Sequence, residues 1–337
     1  MHVQILIYIK AVLSAEGCFY VRGTCDIMHR YACNRVKGAF RHMKGNLMLL
    51  AAALIWGTTF VAQVVGMDGL GPFTYAMARY MLGLLFLIGL WYSGRGQRAE
   101  QRRRGLYHPG WRAGLGAGTF MFIGSSLQQV AMLYTTAGKT AFITALYIIL
   151  VPLGAVALGK RIHGENWIGA VLALAGLYLL SIHGAVTLSF GDGLVLISSL
   201  FWAAQILFID RYAERVDVIE LSTAQIFACW LGSTIAALLV EDIHWAPILQ
   251  AWLPIVYGGI LSGGVAFTLQ IIGQKYADPG PAAIIMSFEA FFGAVSSWII
   301  LGEVMTAVQI SGCLLMLAGV ITTQSGTWLR KKQRIEI

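Results

Sequence analysis

The stretch Tyr134-Thr135-Thr136-Ala137-Gly138-Lys139, running on through an apolar helix to Leu158-Gly159-Lys160-Arg161, decides how this chain is read. A second stretch has the same build. Tyr276-Ala277-Asp278-Pro279-Gly280-Pro281 leads into an apolar segment that holds Glu289 and closes on Leu301-Gly302-Glu303. Each carries one ionisable residue inside an otherwise apolar span, Lys139 in the first and Glu289 in the second.

The rest of the chain explains why such spans matter. Of 337 residues 58% are hydrophobic and only 12% charged, and the mean hydropathy is +0.71, far too apolar for water to solvate the surface. Lipid must do it. A bilayer core needs about 20 apolar residues per helix, and from Asn46 onward such spans recur: Asn46–Val65, Pro72–Tyr92, Ala113–Leu133, Ala137–Leu158, Trp167–His183, Gly193–Ile209, Leu221–Val240, Pro247–Gln274, Pro279–Leu301 and Val304–Leu329. The expected fold is therefore an all-α integral membrane protein with ten transmembrane helices. Arginines and lysines gather in alternate connections, above all Arg95, Arg98, Arg102, Arg103, Arg104 and Arg112 in the second, and in the tail at Arg330, Lys331, Lys332 and Arg334. By the positive-inside rule both termini are cytoplasmic, and the net charge of +8 reflects this bias rather than a nucleic-acid surface.

Residues 1–45 do not share the pattern and form an N-terminal extension. Cys25, His29 and Cys33 fall at helical spacing there but lack the paired Cys-x-x-Cys blocks of a zinc site, so no metal is expected. Met43-Lys44-Gly45-Asn46 has the look of a start, which makes residues 1–42 dispensable in expectation.

An internal repeat divides the remainder into residues 46–183 and 184–329, with a basic tail over 330–337. Trp56-Gly57-Thr58-Thr59 matches Trp202-Ala203-Ala204-Gln205, and Arg79 aligns with Gln225 at the same offset. Further on Gln128 pairs with Gln270, Lys139 with Pro281, Tyr147 with Glu289, and Ala175-Gly176 with Ala318-Gly319. Ordered matches across all five helices are hard to obtain by accident. Five spans is an odd number, so the second copy enters the membrane from the opposite side, and inverted repeats are a transporter signature.

Several of these runs resemble a known family. Trp56–Phe60, Arg79, the segment Thr135–Tyr147 and the Leu-Gly-Glu closing the ninth span together look like a ten-helix member of the EamA group in the drug/metabolite transporter superfamily. The resemblance covers Asn46 to about Gln324 and implies a secondary carrier, often an exporter of amino acids or other metabolites. It also implies a central cavity lined by helices 1, 3, 4, 6, 8 and 9. Two features depart from the pattern: the extension before Met43, and Glu289-Ala290 where relatives usually place Glu-Pro.

Candidate functional residues follow from depth and symmetry. Glu289 lies roughly 15 Å from either end of its helix, where a carboxylate costs about 2.5–3.5 kcal/mol and should face a cavity or partner. Its neighbours Ala282, Met286, Gly293 and Ser296 make a face suited to a pocket wall or to close packing. Lys139 sits near the outer end of its helix, where it can snorkel, and a cation at a helix N-terminus suggests an anionic partner. Arg79 is roughly 10 Å below the outer boundary, fit for an ion pair, a carbonyl clamp or a substrate contact. Trp56 with Thr59 and Gln63, and Trp202 with Gln205, form matching stripes at helical spacing that read as two walls of one pocket or as helix packing. Gln128, Gln270, Tyr147 and Ser125 extend the set.

No phosphate loop, His-Glu-x-x-His or nucleophile elbow appears, so an enzyme is not expected. The expected function is a secondary transporter of the plasma membrane, moving amino acids or related metabolites outward by alternating access, with a membrane sensor or enzyme using the same cavity as the alternative. Expected partners are a small-molecule substrate and the lipid bilayer, with homodimer formation open. No cofactor is expected, and coupling to protons would fall to Glu289.

Overall fold

The computed structural model describes residues 26–135, 137–181, 189–301 and 306–336. The chain divides into two compact units, Met1–His42 and Met43–Ile337, and the second carries all that follows. Its described regular elements are helices: α1 (Asp26–Gly66, of which residues 43–66 belong to this unit), α2 (Pro72–Ser93), α3 (Arg95–Arg103), α4 (Trp111–Ala131), α5 (Ala137–Thr144), α6 (Tyr147–Ala157), α7 (Gly164–Ser181), α8 (Phe190–Tyr212), α9 (Val218–Val240), α10 (Trp245–Gln250) and α11 (Trp252–Val256). A π-helix (Tyr257–Ala266) follows, then α12 (Phe267–Gln274), α13 (Pro279–Met286), α14 (Phe288–Leu301) and α15 (Ala307–Glu336). Helices are what lipid permits, since every backbone N–H and C=O must be satisfied within its own segment.

Among the described residues, eight helical stretches are long and apolar enough to cross a membrane, the first being His42–Gly66 within α1. Two further helices lie where the sequence predicts spans but fall short of that measure: α4, whose glycines and glutamines dilute its apolar character, and the shorter Gly164–Leu180 within α7. Large apolar side chains such as Leu85, Leu238, Leu239 and Ile299 point outward, as lipid-facing residues do.

Three spans expected to be single helices are not. The fourth is interrupted at Ala145-Leu146 between α5 and α6, and the ninth at Ser287 between α13 and α14. In the repeat alignment these interruptions coincide. At each, the backbone tightens to three-residue bonds: Leu146 N–H donates to Ile143 O at 3.1 Å and Ala290 N–H to Ser287 O at 3.2 Å. The Ser287 hydroxyl adds a bond to Ile284 O at 2.7 Å, the sort of local side-chain competition that bends helices. So the ninth span breaks two residues before Glu289 with no proline at the break. The eighth span, expected over Pro247–Gln274, departs further, dividing into α10, α11, the π-helix and α12. Four glycines, Gly258, Gly259, Gly263 and Gly264, fall within the π-helix, and a Cβ added at Gly83 of α2 would lie 2.7 Å from the Gly259 carbonyl oxygen. A wide helix therefore fits against α2 only where side chains are absent.

The two halves meet through a symmetric pair of crossings. A Cβ on Gly169 of α7 would lie 2.7 Å from the Gly319 oxygen of α15, and one on Gly319 would lie 2.6 Å from the Gly169 oxygen. Gly176 and Gly312 approach one another in the same manner. In the repeat, Gly169 corresponds to Gly312 and Gly176 to Gly319, so each contact is the other's image under a two-fold rotation. Small residues let the backbones close in where no hydrophobic force drives association.

Charged ties fasten the helix ends. Glu220, fully buried in the first turn of α9, accepts from Trp91 Nε1 at 3.2 Å, from the Gly110 backbone N–H at 3.0 Å and from the Tyr107 hydroxyl. Partial burial and the Glu220 bond push the Tyr107 phenol up from its ordinary range, which keeps it a donor. Glu241 caps the start of α2, accepting from Phe73 N–H at 2.9 Å and Thr74 N–H at 2.7 Å, where the helix dipole favours an anion. Lys160 pairs with Asp210, and Thr135 donates to Asp192, which with Ser189 also forms the capping box of α8, the hydroxyl bond being 2.6 Å.

Candidate functional site

One cavity lies at the centre of the Met43–Ile337 unit, enclosing about 610 Å³ of space with its open mouth included. Its wall draws from both halves: Trp56, Thr59 and Gln63 of α1, Arg79 of α2, Gln128 of α4, Tyr147 of α6, Trp202 and Gln205 of α8, and Glu289 of α14. These are nine of the ten candidates chosen from sequence. The tenth, Lys139, has its side chain outside the described residues, as do those of Cys25, His29 and Cys33.

Helix interruption explains how Glu289 comes to face the cavity. It opens α14 just past the break at Ser287, and Tyr147 opens α6 just past the matching break. The Tyr147 hydroxyl donates to Glu289 Oε1 at 3.1 Å, with both residues buried. A residue thus bonds to its own repeat counterpart, which places this bond on the local two-fold axis. Beside it Gln128 Nε2 donates to Thr144 Oγ1 at 2.7 Å, so Thr144, one turn before Tyr147, joins the wall.

Amides and aromatics fill the other side. Gln205 and Gln270 exchange bonds, Nε2 of each donating to Oε1 of the other at 3.3 and 3.1 Å, and Gln205 Nε2 also reaches Gln225 Oε1 at 3.4 Å. Phe267 stands between the two tryptophans, its ring 4.9 Å from Trp56 at 56° and 6.3 Å from Trp202 at 10°. Neither indole N–H has a hydrogen-bond partner among the described residues.

Arg79 is the strongest charge on the wall. It is 5% exposed, and no carboxylate pairs with it among the described residues. Its Nη2 donates to the Tyr80 hydroxyl at 3.0 Å and to Gln129 Oε1 at 3.4 Å. The guanidinium also lies 4.6 Å from the centre of the Tyr80 ring and 5.4 Å from that of Tyr75. Each desolvated cation–π contact is worth about 2 kcal/mol, against several kcal/mol for taking the charge out of water. The fold holds the cation without neutralising it.

Sequence reasoning missed Tyr80, Thr144, Ile206, Ser262 and Phe267 on the wall, Met286 lines it as one of the two readings of Glu289's face allowed, and Ser125, though buried, is not part of it. The second span contributes through Arg79 and Tyr80, beyond the six helices that the resemblance implied. Tyr80 follows Arg79 directly and Thr144 precedes Tyr147 at helical spacing, signals that the sequence does contain. Nothing in an apolar run marks Phe267.

A polar cavity between two like halves of a helical, multi-pass membrane protein defines the class: a transporter of small molecules. The chain belongs to the EamA-like transporter family, whose model matches residues 43–182 and again residues 189–324. It is 29% identical over 287 residues to an uncharacterized transporter of Archaeoglobus fulgidus, covering 83% of this chain and 86% of that one. With the threonine/homoserine exporter RhtA of Escherichia coli (strain K12) it shares 28% identity over 314 residues, 86% of this chain and 93% of the other. A probable amino-acid metabolite efflux pump of Salmonella typhimurium is 24% identical over 307 residues, 87% of this chain and 98% of that one. A solved crystal structure has the same fold, with a TM-score of 0.67 at 20% identity over 83% of this chain and 96% of the other.

Proposed function

We propose that this protein is a secondary carrier of the plasma membrane that exports amino acids or closely related metabolites by alternating access. The observation that carries the reading is the Tyr147–Glu289 bond, in which equivalent residues of the two halves meet at the cavity wall just past matching helix breaks. In this reading ten spans cross the bilayer as two inverted sets of five, with both termini cytoplasmic. The halves exchange conformations and open the cavity to either face. Glu289 either holds a substrate ammonium or takes up and releases a proton that couples transport to the gradient. The efflux names of two relatives support export and an amino-acid substrate.

The test is uptake by the purified full chain in liposomes, with labelled amino acids and small amines, with and without an imposed proton gradient. Saturable accumulation, abolished in Glu289→Gln, is the expected result. No accumulation above empty liposomes for any of the probes overturns the assignment. Unchanged pH dependence and substrate choice in Glu289→Gln removes both roles given to that residue.

A further inference from the structure

The polar groups of the cavity wall are out of balance. Three buried donors on residues that line it have no acceptor among the described residues: Trp56 Nε1, Trp202 Nε1 and Arg79 Nε. Several acceptors of the lining residues bond elsewhere and none bonds these donors. Tyr147 holds Glu289 Oε1, Gln128 holds Thr144 Oγ1, and the Gln205 and Gln270 amides satisfy one another. Every orphaned atom on this wall is an N–H donor, and buried donors left unpaired are rare because they are costly.

Charge sharpens the point. The acceptors of Arg79 Nη2 are neutral, a phenol and an amide. Its counterpart in the second half is Gln225, wholly buried at the equivalent place and itself with an unpartnered Nε2. The architecture therefore accommodates a neutral side chain at this position, and the cation in the first half is additional to what the helix packing needs. A guanidinium with an unused N–H, on a residue lining the same cavity as two tryptophans with unused indole N–H groups, is suited to receive an oxyanion.

We propose that Arg79 is the carboxylate-recognising residue of the cavity, assisted by the indole N–H groups of Trp56 and Trp202, and that the ligands taken are small molecules bearing a free carboxylate. This rests on the proposed function only in placing the substrate in this cavity. It moves the anion site from Lys139, where helix-end chemistry suggested it, to Arg79. With Glu289 also on the wall, an amino acid can be held by both ends.

The probes are L-threonine, L-phenylalanine and their carboxamides, which keep the shape and ammonium but lose the anion. Binding is read from ligand-induced thermal stabilisation of the full chain in detergent, and transport from liposome uptake. The acids are expected to bind at least about tenfold more tightly than the amides, since a site aimed at one group penalises its absence. Arg79→Gln should weaken the acids about tenfold or more while leaving the amides unchanged, and Arg79→Lys should restore part of the preference. Equal loss of acids and amides in Arg79→Gln would show a structural role and overturn the proposal. So would a wild-type protein that binds acids and amides alike, or binds no acid at all; this comparison decides the matter even if Arg79→Gln does not fold. Uptake without an acid preference sinks the carboxylate site and leaves the carrier standing, whereas acid-selective binding without uptake does the reverse.

Discussion

Gly57 carries the sharpest mechanical prediction, because it follows Trp56 and touches the backbone of Glu289. A Cβ placed on it would lie 2.5 Å from the Glu289 carbonyl oxygen and 2.7 Å from both Gly293 N and Phe292 Cβ, where ordinary contact begins at 3.4 Å. Gly57→Ala must therefore separate α1 from α14 by about 0.9 Å, the difference of those distances. Overpacking of this kind costs about 1–3 kcal/mol. Alanine returns about 1 kcal/mol of helix propensity, so the proper control is Gly89→Ala, an exposed site in α2 with nothing within 4 Å of the added carbon. The two variants should differ by about 1–3 kcal/mol in thermal unfolding in detergent, a shift of about 2–4 °C per kcal/mol for a large domain. Uptake should separate them more widely. A displacement near 1 Å at a binding site is worth on the order of 100-fold, so Gly57→Ala should lose ten- to a hundredfold in liposome uptake while Gly89→Ala keeps it. Equal stability and equal uptake in the two would refute the close approach of α1 and α14 as what sets the site.

Glu220→Ala strands three donors, Trp91 Nε1, the Tyr107 hydroxyl and the Gly110 N–H, and should cost at least about 3 kcal/mol in thermal unfolding, with Glu220→Gln milder. An unaltered melting temperature would show that water replaces the carboxylate freely. Gly169→Ala and Gly312→Ala, images of one another, should each lose about 1–3 kcal/mol, and the pair Gly169→Ala with Gly319→Ala less than the sum, because the helices have already parted. A strong effect at only one member of the image pair would contradict the two-fold relation. Tyr147→Phe removes the one donor to Glu289 Oε1 and should cost about 1–2 kcal/mol; adding it to Glu289→Gln should cost less than the separate losses combined, and full additivity in the double-mutant cycle would mean the bond contributes nothing.

Lipid makes the apolar spans legible, since each must carry enough apolar residues to cross, and the repeat makes the site legible, since paired positions such as Trp56 and Trp202 flag one another. That is why residues far apart in the chain could be chosen beforehand and found along one wall. The helix breaks were hidden for the opposite reason. No proline or glycine stands at Ala145-Leu146 or Ser287, and the interruption arises from three-residue bonding and a serine back-bond that an apolar run does not announce. The π-helix escaped notice because its glycines read equally well as close packing. Glu220 was passed over because the predicted span opened one residue later, at Leu221; its buried role depends on Trp91 and Tyr107, more than a hundred positions away.

The two-fold axis through the Tyr147–Glu289 bond has a kinetic consequence. Under the proposed exchange of conformations the halves trade backbone shapes, but the side chains stay where they are: arginine opposite glutamine, tyrosine opposite glutamate, threonine opposite glutamine. A dipolar ligand therefore keeps one heading throughout a crossing, the same end leading. Its apparent affinities at the two membrane faces need not agree, and detailed balance then requires the ratio of maximal rates in the two directions to differ by a compensating factor, so that the frame is even-handed while the carrier is not.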